Sequence, residues 1–431
     1  MLPRHAVDRP AAERGAVRAA ARRGERGAVL VHAAVAITGL LAFSALTVDL
    51  GSLWVIRAQA QNAADAAALA GTVSLAYVNP TDMEAARASA QAIVAAHRVW
   101  GESIAPSAVT VTTETCPAGA PAVTGHCVNV SLGLGAMHGT PLPTFFARLV
   151  GGTATNVRAS ASGKVLTGNS TNCLRPLAIP DAWHDRVDTP YDGAWTDDED
   201  ADRFDGYDAE GNADDDTDYY RGPDAAAPGT GITVGSMVGR RIMRRLYNPM
   251  SGLPIPANAL LAFDLPRPGM EGEIDQEMVD RYEANIDTCP GVPQSIGVTV
   301  RSFNSGSPIY TDRPLRSVIA RDEGAYWDAG RRQVVSGLPI SPRIITIGVA
   351  DPEAFSQQRR VAPGGESVYL PTVPLRLRNF IGLFVEGVRV SPSGDGIDIT
   401  GIVVPVPGRF DQSAPLISAD AAFLRSVALV R

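Results

Sequence analysis

The chain has 431 residues, of which 45% are hydrophobic and 19% charged, so it is long enough for two or three domains with apolar cores. Its net charge of −8 combines a basic head with a strongly acidic middle, which argues against nucleic-acid binding by the acidic part. The sequence contains no G-x-S-x-G, H-E-x-x-H or P-loop motif. We therefore predict a protein that is not an enzyme and has no small-molecule substrate.

The first feature along the chain is an apolar segment from Ala28 to Val48 without Asp, Glu, Lys or Arg. As a helix it would extend about 31 Å, which matches the hydrocarbon core of a bilayer. We predict a transmembrane anchor at 27–50. A buried helix of a soluble protein and a cleaved secretory signal are the alternatives, but the segment is long for a signal and no cleavage site is evident.

Basic side chains precede this segment, at Arg22, Arg23 and Arg26, and such residues stay on the cytoplasmic side of a membrane. The sequence therefore predicts a basic cytoplasmic tail at 1–26, without regular structure. The rest of the chain is then expected outside the cytoplasm, anchored in the inner membrane of a bacterium by a single pass.

Two helices follow the apolar segment. Small and helix-forming residues dominate Ser52–Ala76, which we expect to continue the anchor as one long Ala-rich helix. Asn79–Pro80 ends that pattern, and Thr81 or Asp82 is predicted to cap a second helix. We expect four polar residues to face the membrane or partner helices. These are Asp49, directly after the apolar segment, and Gln61, Asn62 and Asp65 of the first helix.

Beyond Gly101 the hydrophobic period changes to two, which predicts strands. Alternation is clear around Val109–Thr113, Val128–Ser131 and Asn156–Val165, with a short helix expected near Phe146. Together with the long helix, these strands define a predicted domain at 51–166, with a small antiparallel sheet.

The four cysteines all follow the apolar segment. An even number in an exported chain predicts two disulfides, and three pairings are possible. We favour a local pair and a long-range pair, Cys116–Cys127 and Cys173–Cys289. Four free thiols are the alternative.

Carboxylates crowd the segment from Asp185 to Asp224, which lies in a predicted acidic linker or loop region at 167–230. Such a density requires solvent or a cation, and Ca²⁺ prefers oxygen ligands. An exposed, solvated loop is one interpretation. A calcium site is the other, with candidate ligands at Asp205, Asp208, Glu210, Asn212 and Asp214. No other cofactor is predicted.

Short apolar runs alternate with Gly and Pro from 231 to the last residue, which predicts a β-rich exported domain at 231–431. The runs are Ile232–Val238, Ile296–Val300, Arg343–Val349, Val373–Leu377, Phe380–Val390 and Ile399–Val406. One short helix is expected around Met278–Ile286. The predicted fold class is thus α+β.

The segment from Arg26 to Gly71 resembles the N-terminal part of TadE- and TadG-like proteins of the Tad (Flp, type IVb) pilus assembly system. The likeness is carried by an Arg–Gly before the apolar segment, V-D-x-G at Val48–Gly51 and QNAADAAALAG at Gln61–Gly71. Later segments are similar too, such as CLRPLAIPDAW from Cys173 and LRNFIGLFVEGV from Leu377. The resemblance implies a membrane-anchored structural component whose partners are the membrane and other pilus-assembly proteins or pseudopilins.

Two features depart from this family. Prepilins carry Glu five residues after the glycine at which they are cut, whereas His32 stands five residues after Gly27, so cleavage there stays open. Larger relatives carry a D-x-S-x-S metal site, and the segment Asp411–Pro415 lacks its last serine. Two other functions stay open: a calcium-dependent adhesion or binding module, and an envelope hydrolase that uses two carboxylates of the acidic region.

Overall fold

The computed structural model shows a chain of mixed helix and sheet. It describes residues 11–77, 82–115, 126–135, 146, 156–185, 203–206, 217–224, 229–248, 255–265, 276–303, 307–357, 374–390 and 396–430. The chain divides into two compact units. Unit 1 comprises Met1–Ala64, Ile93–Thr110 and Ser131–Ser160, and unit 2 comprises Asp65–Ala92, Val111–Val130 and Ala161–Arg431.

The helices are α1 Ala11–Tyr77, α2 Met83–Ala96, α3 Val234–Met237, α4 Gln276–Asp287, α5 Ile309–Ala320 and α6 Pro352–Gln357, with a 3₁₀ turn at Pro106–Ala108. The strands are β1 Arg98–Val99, β2 Glu102–Ser103, β3 Val109–Thr115, β4 His126–Leu134, β5 Val157–Thr167, β6 Ser170–Thr171, β7 Leu174–Pro180, β8 Arg241–Leu246, β9 Ala259–Asp264, β10 Gln294–Ser295, β11 Thr299–Ser302, β12 Tyr326–Asp328, β13 Gln333–Val335, β14 Ile344–Ala350, β15 Pro374–Val390, β16 Ile397–Val404, β17 Val406–Pro407 and β18 Leu424–Val430.

Helix α1 confirms that the apolar segment continues without a break into the Ala-rich segment. It also begins at Ala11, so the expectation of no regular structure in the tail is wrong from that residue onward. The reason is local, because Ala, Arg and Glu favour helix even without an apolar face. Asp82 caps α2 as predicted, since its Oδ1 accepts the Ala85 amide at 2.9 Å.

Six strands of unit 2 form a closed ring of hydrogen-bonded neighbours. The order is β15–β14–β7–β9–β8–β16, and β16 pairs with β15 again. Two pairs are parallel, β7 with β14 and β8 with β9, and the others are antiparallel. Alternate side chains of these strands enter two apolar clusters, one of which also contains side chains of α4 and α5 such as Tyr282 and Leu315.

A second sheet has the order β17–β18–β5–β4–β3. The prediction of a small antiparallel sheet holds for β18 against β5, whereas β17 and β18 are parallel. Strand β18 comes from the end of the chain and pairs with β5, so the residues predicted as separate domains at 51–166 and 231–431 share one sheet. Within unit 2, α1 packs closely on β5: a Cβ at Gly163 would lie 2.8 Å from the Ala68 carbonyl oxygen.

Two further expectations are corrected by unit 2. The segment predicted as a strand at Ile232–Val238 holds α3, because the Thr233 side chain accepts the Ser236 amide and starts a helical turn. The predicted linker at 167–230 contains β7, whose seven residues are all buried in the ring. The short helix expected near Phe146 lies outside the described residues, apart from Phe146 itself.

Candidate functional site

The apolar segment of α1 is exposed on all sides. One helix among the described residues, Gly27–Tyr77, is long and apolar enough to cross a membrane, and none of its most apolar part is buried. Leu40 is 69% exposed and Phe43 74% exposed. So large an apolar surface is costly in water, and a lipid environment removes that cost. The alternative of a buried helix in a soluble protein is therefore disfavoured, because no residue that the structure describes covers this segment.

Polar side chains inside the apolar segment bond to their own helix. His32 Nδ1 lies 2.7 Å from the Ala28 carbonyl oxygen, and the Thr38 hydroxyl donates to the Ala34 carbonyl at 2.8 Å. The Thr47 hydroxyl donates to the carbonyl of Phe43 at 2.9 Å. Such bonds to the preceding turn satisfy polar groups where water is absent. Three of the four polar side chains of the segment, His32, Thr38 and Thr47, thus meet the requirement that lipid imposes on polar groups.

Asp49 is the first residue of α1 after the apolar segment. Its side chain is buried, and Oδ2 accepts the backbone amide of Phe146 at 3.0 Å. Its main-chain carbonyl accepts the Ser52 hydroxyl at 2.8 Å. Asp49 therefore bonds within its own chain, in unit 1, and its predicted role toward partner helices stays a prediction.

The polar residues further along α1 have mixed environments. Gln61 donates from Nε2 to the Ser160 carbonyl at 2.9 Å, whereas Asn62 is exposed and Asp65 is half-buried. The alanines beside them are fully buried: Ala60, Ala63, Ala64, Ala67 and Ala68. This alanine face packs inside the chain itself, so any surface that α1 offers to partner helices must be another face.

Of the five predicted calcium ligands, the structure describes Asp205. Asp205 is exposed, and its amide donates to the Asp218 carboxylate at 2.9 Å. The other candidate ligands, Asp208, Glu210, Asn212 and Asp214, lie outside the described residues. Among the described residues no group of three His, Cys, Asp or Glu side chains could hold a metal ion.

Two aspartates that the sequence did not single out end neighbouring parallel strands. Asp181 follows β7 and Asp351 follows β14, where Pro180 and Ala350 are in register. Burial raises the pKa of Asp181 to about 6, although hydrogen bonds from Ile232, Tyr220 and Ala182 oppose the shift. The only sequence signal was an Asp directly after a buried apolar run in each case.

The bonds to Asp181 show what this pair does. Its Oδ1 accepts the Ile232 amide at 2.7 Å and the Ala182 amide at 3.0 Å, and its Oδ2 accepts the Tyr220 hydroxyl at 2.7 Å. Asp351 accepts the Ala354 amide at 2.9 Å and forms an ion pair with Arg378. These contacts bind Tyr220, near the end of the acidic segment, and Ile232, which follows that segment, to the ring of strands.

A groove of about 560 Å³ lies in unit 2 between the end of α1 and the loop after β13. Its lining is mainly apolar and includes Tyr77, Trp327, Leu338 and Ile340, with one charged residue, Arg332. Paired carboxylates, which the hydrolase alternative needs, are not among its lining residues. The groove therefore adds no support to that alternative.

The predicted pair Cys173–Cys289 is confirmed as a disulfide. It joins the residue before β7 to the segment after α4, two parts of unit 2 separated by 116 positions. Cys127 is also disulfide-bonded, and Cys116 lies outside the described residues.

Comparisons with models of known protein families, with characterised proteins and with solved structures find no match. In its described residues, this protein combines helix and sheet with one helix that could span a membrane and with the disulfide Cys173–Cys289.

Proposed function

We propose that this chain is a single-span, non-enzymatic structural component of Tad-type pilus assembly in a bacterial inner membrane. The exposed apolar part of α1 is the anchor, and the disulfide-bonded, β-rich remainder is the exported body. The observation that carries this proposal is the exposure of the segment around Leu40 and Phe43, which none of the described residues covers. Its His32 and Thr38 side chains bond to the backbone of their own helix.

The assignment to pilus assembly comes from the resemblance to TadE- and TadG-like proteins, which is clearest at Arg26–Gly71. The anchor also supports it in physical terms, because a component of a membrane machine must stay in the bilayer while it presents a folded surface outside. The arginines before the segment favour the orientation with the tail in the cytoplasm.

Deletion and complementation in the source bacterium test this function. We expect the deletion strain to lose surface fibres, and the wild-type chain to restore them. Leu40→Arg places a charge at the centre of the segment, which opposes membrane insertion, and should not restore fibres. Leu416→Arg is the matched control, since Leu416 is also exposed but lies in unit 2. Normal fibres in the deletion strain would contradict the proposal.

A further inference from the structure

Large apolar side chains are also exposed on the two turns of α1 that follow the apolar segment. Leu50 is 49% exposed, Trp54 77% and Val55 45%. Trp is enriched where membranes meet water, because its ring is apolar and its N–H is polar. The position and the residue type together indicate a surface that touches the polar layer of a bilayer.

Helix geometry places the Cα of Trp54 just beyond that layer, with the layer within reach of its side chain. With a rise of about 1.5 Å per residue, its Cα lies about 9 Å beyond Val48 along α1. The polar layer adds about 5 to 8 Å on each side of the hydrocarbon core. Because side chains lean toward the N-terminus of their helix, the indole of Trp54 leans back toward the membrane.

Phe146 is held close to the end of the apolar segment by a contact from outside the helix. Its amide donates to the carboxylate of Asp49, the first residue after the apolar segment, and its side chain is 41% exposed. Phe146 and Trp54 both belong to unit 1. An exposed Phe fastened next to the end of an apolar helix fits a phospholipid surface better than water.

We infer that Trp54 and Phe146 form a bilayer-contacting surface in the phospholipid interface, and that Asp49 is the residue that positions Phe146 there. The inference rests on the proposed anchor. It assigns Asp49 a role within the chain, where the sequence suggested one toward partner helices. A membrane-proximal helix of another protein is the competing occupant, and quenching by lipid distinguishes the two.

The test uses the full chain in phosphatidylcholine vesicles, either plain or with lipid brominated at the upper part of its acyl chains, which quenches nearby Trp emission. Three single-Trp forms are needed, made by replacing the other tryptophans with Phe. They retain Trp54, or Trp100, or a Trp introduced by Phe146→Trp. Trp100 is the control, because its amide bonds to the Gln59 side chain, and Gln59 lies about 15 Å beyond Asp49 along α1.

We expect brominated lipid to remove most of the emission at positions 54 and 146 and little at position 100. Quenching at 54 with emission at 146 as resistant as at 100 would overturn the inference while the anchor stands. Absence of quenching at all three positions would also overturn the inference. Release of the chain from the vesicles by a carbonate wash would overturn the anchor, so the two failures are distinguishable.

Two variants of Asp49 test the positioning role in the Phe146→Trp form. Asp49→Asn keeps an oxygen that accepts the Phe146 amide and should leave the quenching at 146 unchanged. Asp49→Ala removes it and should lower that quenching, with Trp54 in its own single-Trp form still quenched. Equal quenching at 146 in both variants would refute the role of Asp49.

Discussion

At Gly163, strand β5 lies very close to α1. A Cβ built there would lie 2.1 Å from the Thr72 hydroxyl oxygen and 2.8 Å from the Ala68 carbonyl oxygen. The hydroxyl has little freedom to move, since it donates to the same carbonyl at 2.7 Å. Gly163→Ala therefore forces the helix backbone away from β5.

Overpacking of this kind costs about 1 to 3 kcal/mol, and a clash with backbone places Gly163→Ala at the upper end, about 3 kcal/mol. At about 2 °C per kcal/mol for a large domain, the midpoint of thermal unfolding should fall by about 6 °C. Circular dichroism of the full chain in detergent measures this midpoint. Gly235→Ala is the control, because a Cβ there meets nothing within 4 Å.

A second substitution, at Thr72, tests whether the loss of stability comes from the contact between Gly163 and α1. Thr72→Ala removes the nearest atom but leaves the Ala68 carbonyl, so the double variant with Gly163→Ala should recover part of the loss. If Gly163→Ala melts at the temperature of Gly235→Ala, the packing of α1 on its own sheet is wrong. The alanine face would then be free for partner helices.

Three further predictions concern unit 2. Since burial raises the pKa of Asp181 from 3.8 to about 6, its contribution to stability is fully present below pH 3.8 and is lost as the pH rises through 6. Relative to Asp181→Asn, the free energy of unfolding should therefore fall by about 3 kcal/mol between pH 3.5 and pH 7, and a difference that does not vary with pH would contradict this. Replacing Cys173 and Cys289 by Ser should cost about 4 kcal/mol in the unfolding free energy from denaturant titration, and an unchanged midpoint would contradict a structural disulfide. Asp82→Ala should cost about 1 kcal/mol by the same titration while Asp82→Asn costs little, because only the Ala variant loses the cap of α2; equal losses would count against the cap.

Elements with a clear local pattern could be predicted from the sequence. Helix α1 beyond residue 26, helix α2, strands β3 to β5 and helix α4 follow from periodicity, capping and turn residues. The same holds for β14, and for β15, which joins two predicted runs into one strand of 17 residues. In α2, β5 and α4 the hydrophobic period reports on one buried face. Strands β14 and β15 are visible instead as apolar runs, with six and seven consecutive buried residues.

Elements buried on both faces could not be predicted in this way. Strands β7 and β9 are buried at every residue, so they show no alternation. Helix α5 contains Pro314 in its interior, which argues against a helix, and the burial of its neighbours Leu315 and Val318 in the core outweighs that local preference. The pairing of β18 with β5 joins residues far apart in sequence, such as Val427 and Val165, and no local signal reports it.

One part of the candidate site could be predicted from the sequence and another part could not. The apolar segment is visible in composition alone, because lipid requires a length and a polarity that few soluble helices share. The bond between Asp49 and Phe146 depends on a contact between residues almost a hundred positions apart, and the sequence offered no pattern for it.

The central claim is that one helix crosses the membrane and leaves the folded body outside the cytoplasm. Alkaline phosphatase fused after Arg431 tests it most directly, because that enzyme becomes active only where its disulfides form. We predict an active fusion that stays in the membrane fraction after a carbonate wash. An inactive fusion, or an active one that the wash releases, would contradict the account.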